Sequence, residues 1–396
     1  MQNLFRLGIF SLFALTALVA RAATSLGEFG VVVDGVAIPV RVSASTAELD
    51  TLARIAFSTH GRYKLVASGH AYDIKFTAVA PTQVRVDITR GAAATPVASA
   101  VATGTTARHA LLRAADEAVV RTNGLGLRGF FTARMAFVSQ RTGKSEVYSS
   151  DLFLGDAKQL TRDGALAMWP RWSPDGSRII YTSFFKTGAP DIYLLDPQTT
   201  RKDIFANYKG TNMGARFSPS GQQVVMIAGE TPGEIYIANA QGKNAVRKTR
   251  SDVSKSSPCW SPDSSQIVFA MGEPSPQLYV MSAAGGAPRR LTTGYAFSAE
   301  PDWNRVDRNK LVCTVRVGGG KFQIAVVELS TGKAEVVSKA AYDAMEPSWL
   351  ADGRHVIYTV RDRRTSALAI LDTVTGSSLQ ITPNDLAALQ AGVWTP

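Results

Sequence analysis

Glu300 and Glu346 are the residues of this chain with the clearest capacity for chemistry. Brought to one cavity, two carboxylates could hold a cation such as Ca²⁺, provided carbonyl oxygens completed the shell. Acid–base work would need more. A catalytic base requires a partner of matched pKa, and none of the four histidines, His60, His70, His109 and His355, occupies a comparable position. These histidines also fail to combine with the two cysteines, Cys259 and Cys313, at a metal-ligand spacing. No Gly-x-Ser-x-Gly nucleophile elbow occurs, which argues against a serine hydrolase. Recognition, or a lyase-like reaction built on a bound cation, is what remains.

The elements that must position these residues are periodic. Trp172-Ser173-Pro174-Asp175-Gly176 recurs as Phe217-Ser218-Pro219-Ser220-Gly221 and as Trp260-Ser261-Pro262-Asp263-Ser264. Degraded copies stand at Trp303-Asn304 and at Trp349-Leu350-Ala351-Asp352-Gly353. The aromatic residues are 45, 43, 43 and 46 residues apart. A period of about 40–45 residues with several short strands per unit is the signature of a β-propeller. Each copy is expected to be an inner strand whose aromatic fills the space between blades, followed by a tight Pro-Asp-Gly reversal. The first strand set, Met135 to Ser139, Glu146 to Ser150 and Lys158 to Thr161, lacks an inner strand ahead of it. Trp394-Thr395-Pro396 lies 45 residues beyond the last copy and supplies that strand. The expected fold is mainly β, a six-bladed propeller over 129–396 closed by a C-terminal strand.

A smaller α/β domain over 23–128 precedes it. Strands are expected at Val31–Val33, Val36–Val42, Tyr63–Val66, Tyr72–Val79, Val84–Ile88 and Val97–Ala102. Ser45-Thr46-Ala47-Glu48 reads as a capping box opening a helix to about Ser58. A second helix runs from about Thr106 to Arg121, and the glycines of 124–129 form the linker. Residues 1–22 read as an export signal: Arg6, an apolar run over Leu7–Val19, and the small-x-small site Ala20-Arg21-Ala22. No segment approaches the roughly 18 apolar residues of a membrane span. An exported chain permits a disulfide, but Cys259 and Cys313 both fall at inward-facing positions and are expected as free thiols. The formal charge of +11 comes from scattered basic residues beside turns, which argues against nucleic-acid binding.

The stretch Gly129-Phe130-Phe131-Thr132-Ala133-Arg134-Met135-Ala136-Phe137-Val138, the Trp-Ser-Pro-Asp-Gly units and the terminal Trp-Thr-Pro together resemble the TolB family of the Tol–Pal envelope system. The likeness covers about Ala115 to Pro396, and before that it is one of kind. It implies a periplasmic, monomeric, non-enzymatic protein without cofactor or metal. Its propeller would bind a Pal-like peptidoglycan-associated lipoprotein, and its mature N-terminal segment, with Phe29, Val31 and Val33, would bind a TolA-like inner-membrane protein. The implied roles are outer-membrane integrity and cell division.

The residues just ahead of the repeat phrases, Trp169, Gly214, Ser257, Glu300, Glu346 and Ala391, form a ring expected around one mouth of the channel. Asn212, Met213, Lys255 and Ser298 flank it. An exposed aromatic on one blade and carboxylates on two others make the ring asymmetric, which suits one specific partner. The alternatives are a lyase-like propeller enzyme with a cation in the channel, and a generic envelope scaffold.

Overall fold

The structure, a computed structural model, describes residues 37–123 and 128–396. The export signal, the Val31–Val33 strand, the TolA-type residues Phe29, Val31 and Val33, and most of the linker lie outside the described residues.

In the N-terminal domain, β1 (Ile38–Ala44), α1 (Ala47–Thr59), β2 (Tyr63–Leu65), β3 (Tyr72–Ala80), β4 (Gln83–Arg90), β5 (Ala98–Thr103) and α2 (Ala107–Asn123) follow in order. The sheet order is β2-β1-β3-β4-β5, with β1 parallel to both neighbours and β3, β4 and β5 antiparallel. Strand alternation buries Val40, Val42, Ile74, Phe76, Val84, Val86 and Ile88 in one core with Leu52, Phe57, Leu111 and Ala115 of the helices. The first helix starts one residue later than the capping-box reading. Thr46 is the N-cap, its hydroxyl accepting from Leu49 N at 3.3 Å. Ser45 instead turns its hydroxyl to Ala78 N at 3.0 Å, because β1 and β3 pair up to that point.

Six four-stranded sheets follow, blade 1 being completed by Ala388–Trp394 paired antiparallel to Arg134–Ser139. Innermost strands of blades 2 to 6 are Ala167–Trp172, Thr211–Phe217, Lys255–Trp260, Ser298–Trp303 and Asp343–Trp349. The repeat aromatics Trp172, Trp260, Trp303 and Trp349 are buried, as their expected role between blades requires. The turn chemistry is local. Ser173 Oγ donates to Asp175 Oδ1 at 2.5 Å and accepts from Arg178 N at 3.0 Å, while Gly176 takes φ +69°. A Cβ at Gly176 would meet the Trp394 ring at 2.3 Å, so the turn of blade 2 also makes room for the closing strand.

The two domains share a hydrophobic core, in which Phe57 of α1 lies 4.9 Å from Phe131, ring centre to ring centre. Arg108 of α2 reaches Asp151 of blade 1 at 2.6 Å. Asp116 of α2 accepts from Phe131 N at 3.0 Å and Thr132 N at 3.2 Å, tying the helix to the first turn of the propeller. His60, after α1, packs on Phe130 and on His355 of blade 6, with ring centres 4.5 and 4.6 Å apart.

Candidate functional site

Each innermost strand carries a β-bulge at the same place. The bulged residues are Trp169 (φ +51°), Gly214 (+66°), Ser257 (+51°), Glu300 (+55°), Glu346 (+56°) and Gln390 (+58°). Left-handed conformations at non-glycine residues cost energy and persist where the surroundings enforce them. Here Pro follows the bulged residue in four blades, as Pro170, Pro258, Pro301 and Pro347. Proline cannot donate to a ladder, so a bulge is where a strand tolerates it.

The ring therefore forms, with one correction. Ala391 is not its sixth member; Gln390 is. Counting back from Trp394 assumed that this tryptophan stands in the register of the others. In fact Val393 pairs with Met135 and occupies the repeat position, and Trp394 lies one residue further. From there Trp394 packs on Trp172 in a tilted arrangement, ring centres 5.8 Å apart, and donates from Nε1 to Pro174 O at 3.0 Å.

Bulge residues around half the ring hold one another. Glu346 N donates to Glu300 Oε2 at 2.8 Å, Gln390 Nε2 to Glu346 Oε1 at 2.8 Å, and Trp169 N to Gln390 Oε1 at 3.0 Å. Threonines from the second strands support them: Thr314 donates to Glu300 at 2.6 Å and Thr359 to Glu346 at 2.9 Å. The two glutamates are half-buried, and so is Trp169, which was expected to be exposed. Burial, with repulsion from Glu346, pushes the Glu300 carboxyl up to about 7, and burial also raises Glu346. Burial and mutual repulsion thus oppose the two carboxyls being charged together.

A small cavity of about 40 Å³ opens inside this ring, lined by Trp169, Met213, Gly214, Ser257, Glu300 and Glu346 among others. Three of the expected rim residues are drawn inward. Asn212 is fully buried and clamps its loop, accepting from Tyr208 N and donating to Tyr208 O at 2.7 Å. Lys255 is buried and paired with Glu234 at 2.6 Å, and Ser298 is buried against the Thr293 hydroxyl. Their side chains shape the loops instead of facing a partner.

Below the bulge tier, the residues before the repeat aromatics, Arg171, Arg216, Cys259, Asp302 and Ser348, line a further cavity, and Gly392 takes the same register position in blade 1. Sequence reasoning passed over this tier, though two arginines and an aspartate at one repeat position were a visible signal. Arg216 pairs with Asp302 at 2.5 Å. Cys259 and Cys313 are free and buried, and burial pushes their thiols up to about 11 and about 12. The other unanticipated cluster lies between the domains, where His60, Asp352 and His355 converge in full burial. Both ring nitrogens of His355 are engaged, Nδ1 with Asp352 Oδ2 at 2.5 Å and Nε2 with His60 O at 2.6 Å.

Comparison with known proteins gives the following. Residues 124–396 match the family model for the TolB beta propeller domain. A Tol-Pal system protein TolB from Desulfosudis oleivorans is 32% identical over 128 residues, which is 32% of this chain and 28% of that relative. The chain thus matches a little over a quarter of that relative's length. Among solved structures, TolB from Acinetobacter baumannii superposes with a TM-score of 0.79 at 19% identity, covering 93% of this chain and 98% of that one. A further structure, described as a TolB from Agrobacterium tumefaciens, gives 0.51 at 18% identity over 67% of this chain and 98% of that one. At such identities the likeness is one of fold, and in the first case it extends beyond the propeller.

Proposed function

The chain belongs to the TolB beta propeller domain family, and from that premise we propose that it is a periplasmic, non-enzymatic protein-binding component of a Tol–Pal system. The surface that receives a Pal-like peptidoglycan-associated lipoprotein is the bulge mouth of the channel. One observation carries this reading: a rigid, asymmetric ring in which Glu300, Glu346, Gln390 and Trp169 fix one another across four blades. A half-buried aromatic beside fixed acceptors, free to be covered by a partner, is the anatomy of an interface hot spot. Trp169, Met213, Gly214, Ser257, Glu300 and Glu346 are the contact residues, and Asn212, Lys255 and Ser298 hold their loops. Non-enzymatic function fits the state of the carboxylates. Three of their four oxygens accept from protein donors, and no histidine lines the cavity. The mature protein acts as a monomer after removal of residues 1–22. Its N-terminal segment, with Phe29, Val31 and Val33, engages a TolA-like inner-membrane protein, and the two contacts together support envelope integrity and division.

The test is capture from envelope extracts by the tagged mature protein. A Pal-like lipoprotein should be recovered, and Trp169→Ala should weaken that interaction by about tenfold or more. Removing residues 23–36 should abolish recovery of a TolA-like protein while sparing the lipoprotein. Recovery of no envelope protein by the intact chain would reject the proposal.

A further inference from the structure

The channel has a second mouth, on the Trp-Ser-Pro side, opposite the bulge ring. A separate small cavity of about 60 Å³ opens there, lined wholly by propeller residues. Arg171 and Arg216 border both cavities and divide them. The lining of the second cavity holds one carboxylate, Asp302, which is paired with Arg216, and three donors without partners. Arg171 Nε, Trp172 Nε1 and Trp349 Nε1 are all buried on its wall, and all lack a hydrogen-bond partner. Trp172 and Trp349 are only 8% and 6% exposed. Guanidinium and indole N–H groups can only donate, and a buried donor left unmet is costly. By contrast, Trp260 and Trp303, at the same repeat position, meet carbonyls at 3.0 and 2.8 Å.

Charge points the same way. Of the three arginines here, Arg216 is neutralised by Asp302. Arg171 donates only to the adjacent Pro170 carbonyl, and Arg305, exposed at the opening, has no carboxylate partner among the described residues. Burial and then repulsion from Arg216 bring the Arg171 guanidinium down to about 10. Such a charge gains from a counter-ion. Blade 1 offers Gly392, where a Cβ would lie 2.5 Å from Pro170 O and 2.9 Å from Arg171 Cδ, so the missing side chain lets the Arg171 stem pack against that blade, while Ser348 of blade 6 lines the cavity.

We propose that this second mouth is an anion-binding site, in which Arg171, Trp172 and Trp349 donate to the oxygens of a carboxylate or phosphate group and Arg305 draws it in. The site is distinct from the lipoprotein surface at the bulge mouth. Two of its walls are tryptophans, so occupancy is readable by intrinsic fluorescence.

The experiment titrates the mature protein with inorganic phosphate, and separately with a short peptide bearing either a free or an amidated C-terminus. A saturable change with phosphate identifies a free anion. A change with the free but not the amidated peptide identifies a chain terminus. Either result supports the site if Arg171→Gln weakens it about tenfold or more, the usual worth of a charge-assisted hydrogen bond. Arg305→Gln, at an exposed position, should weaken it a few-fold and lessen its salt dependence. Should Arg171→Gln not fold, the Arg305→Gln result decides. Absence of any saturable change, or equal affinity in the variants, overturns the proposal.

Discussion

His355 illustrates how neighbours dictate a protonation state. A carboxylate and a peptide carbonyl can only accept, so both ring nitrogens of His355 must donate, and the ring is an imidazolium. Burial opposes that charge, but Asp352 outweighs it, and the pKa of His355 is raised above 6.5. His60 is the opposite case. Burial, with His355 beside it, holds it well below 6.5, and neither of its nitrogens finds a partner. The signs follow by linkage. A raised histidine contributes stability that is full below about 6.5 and is lost as pH rises through its folded value. A depressed one withdraws stability as pH falls below about 6.5, where the unfolded chain takes up a proton and the folded chain does not. We expect domain docking to be tightest near pH 6.5, measured as melting temperature by near-ultraviolet circular dichroism from pH 5 to 9. His60→Phe, in a pocket already walled by Phe130 and Phe131, should flatten the acid limb alone. An acid limb unchanged in that variant would contradict the assignment. None of this was legible from the sequence, since His60 and His355 are 295 residues apart and meet only through the docking of two domains.

At the scale of elements, the bulge and the closing strand differ in how far sequence reached them. The period of the aromatics predicted inner strands and their number, because filling the wedge between blades needs one large side chain per repeat. The bulge was half-legible: an X-Pro pair ahead of four of the repeat aromatics is where a strand must break its ladder. The register of the last strand was not. Val393, not Trp394, matches the other repeat positions, and pairing with Arg134–Ser139 at the other end of the propeller sets that. Trp394, partly buried, seals the ring by covering Gly176 and Trp172, so Trp394→Ala should destabilise the protein by about 2–3 kcal/mol. Chemical denaturation checks this, and a loss under about 1 kcal/mol would mean that backbone pairing alone closes the propeller.

For the whole molecule, the question is what makes two domains one body. Asp116 of α2 accepts from Phe131 N, Thr132 N and the Thr132 hydroxyl, and burial raises its pKa even against those bonds. Asp116→Ala would leave two amide donors unmet at the junction and should cost about 1–3 kcal/mol. Faster limited proteolysis between the domains, with the propeller itself resistant, is the expected readout; unchanged cleavage would place the hold in the Arg108–Asp151 pair and the shared core. No helix among the described residues is long and apolar enough to cross a membrane. By itself, the sequence determined the repeat, the blade count and the closing strand, because local turn chemistry and a fixed period of large side chains dictate them. Only the tertiary structure decided which rim residues face outward, how the two glutamates share their donors, and which arginine is left unpaired. Those are facts about neighbours brought together from different blades, and a one-residue shift in register is enough to change them.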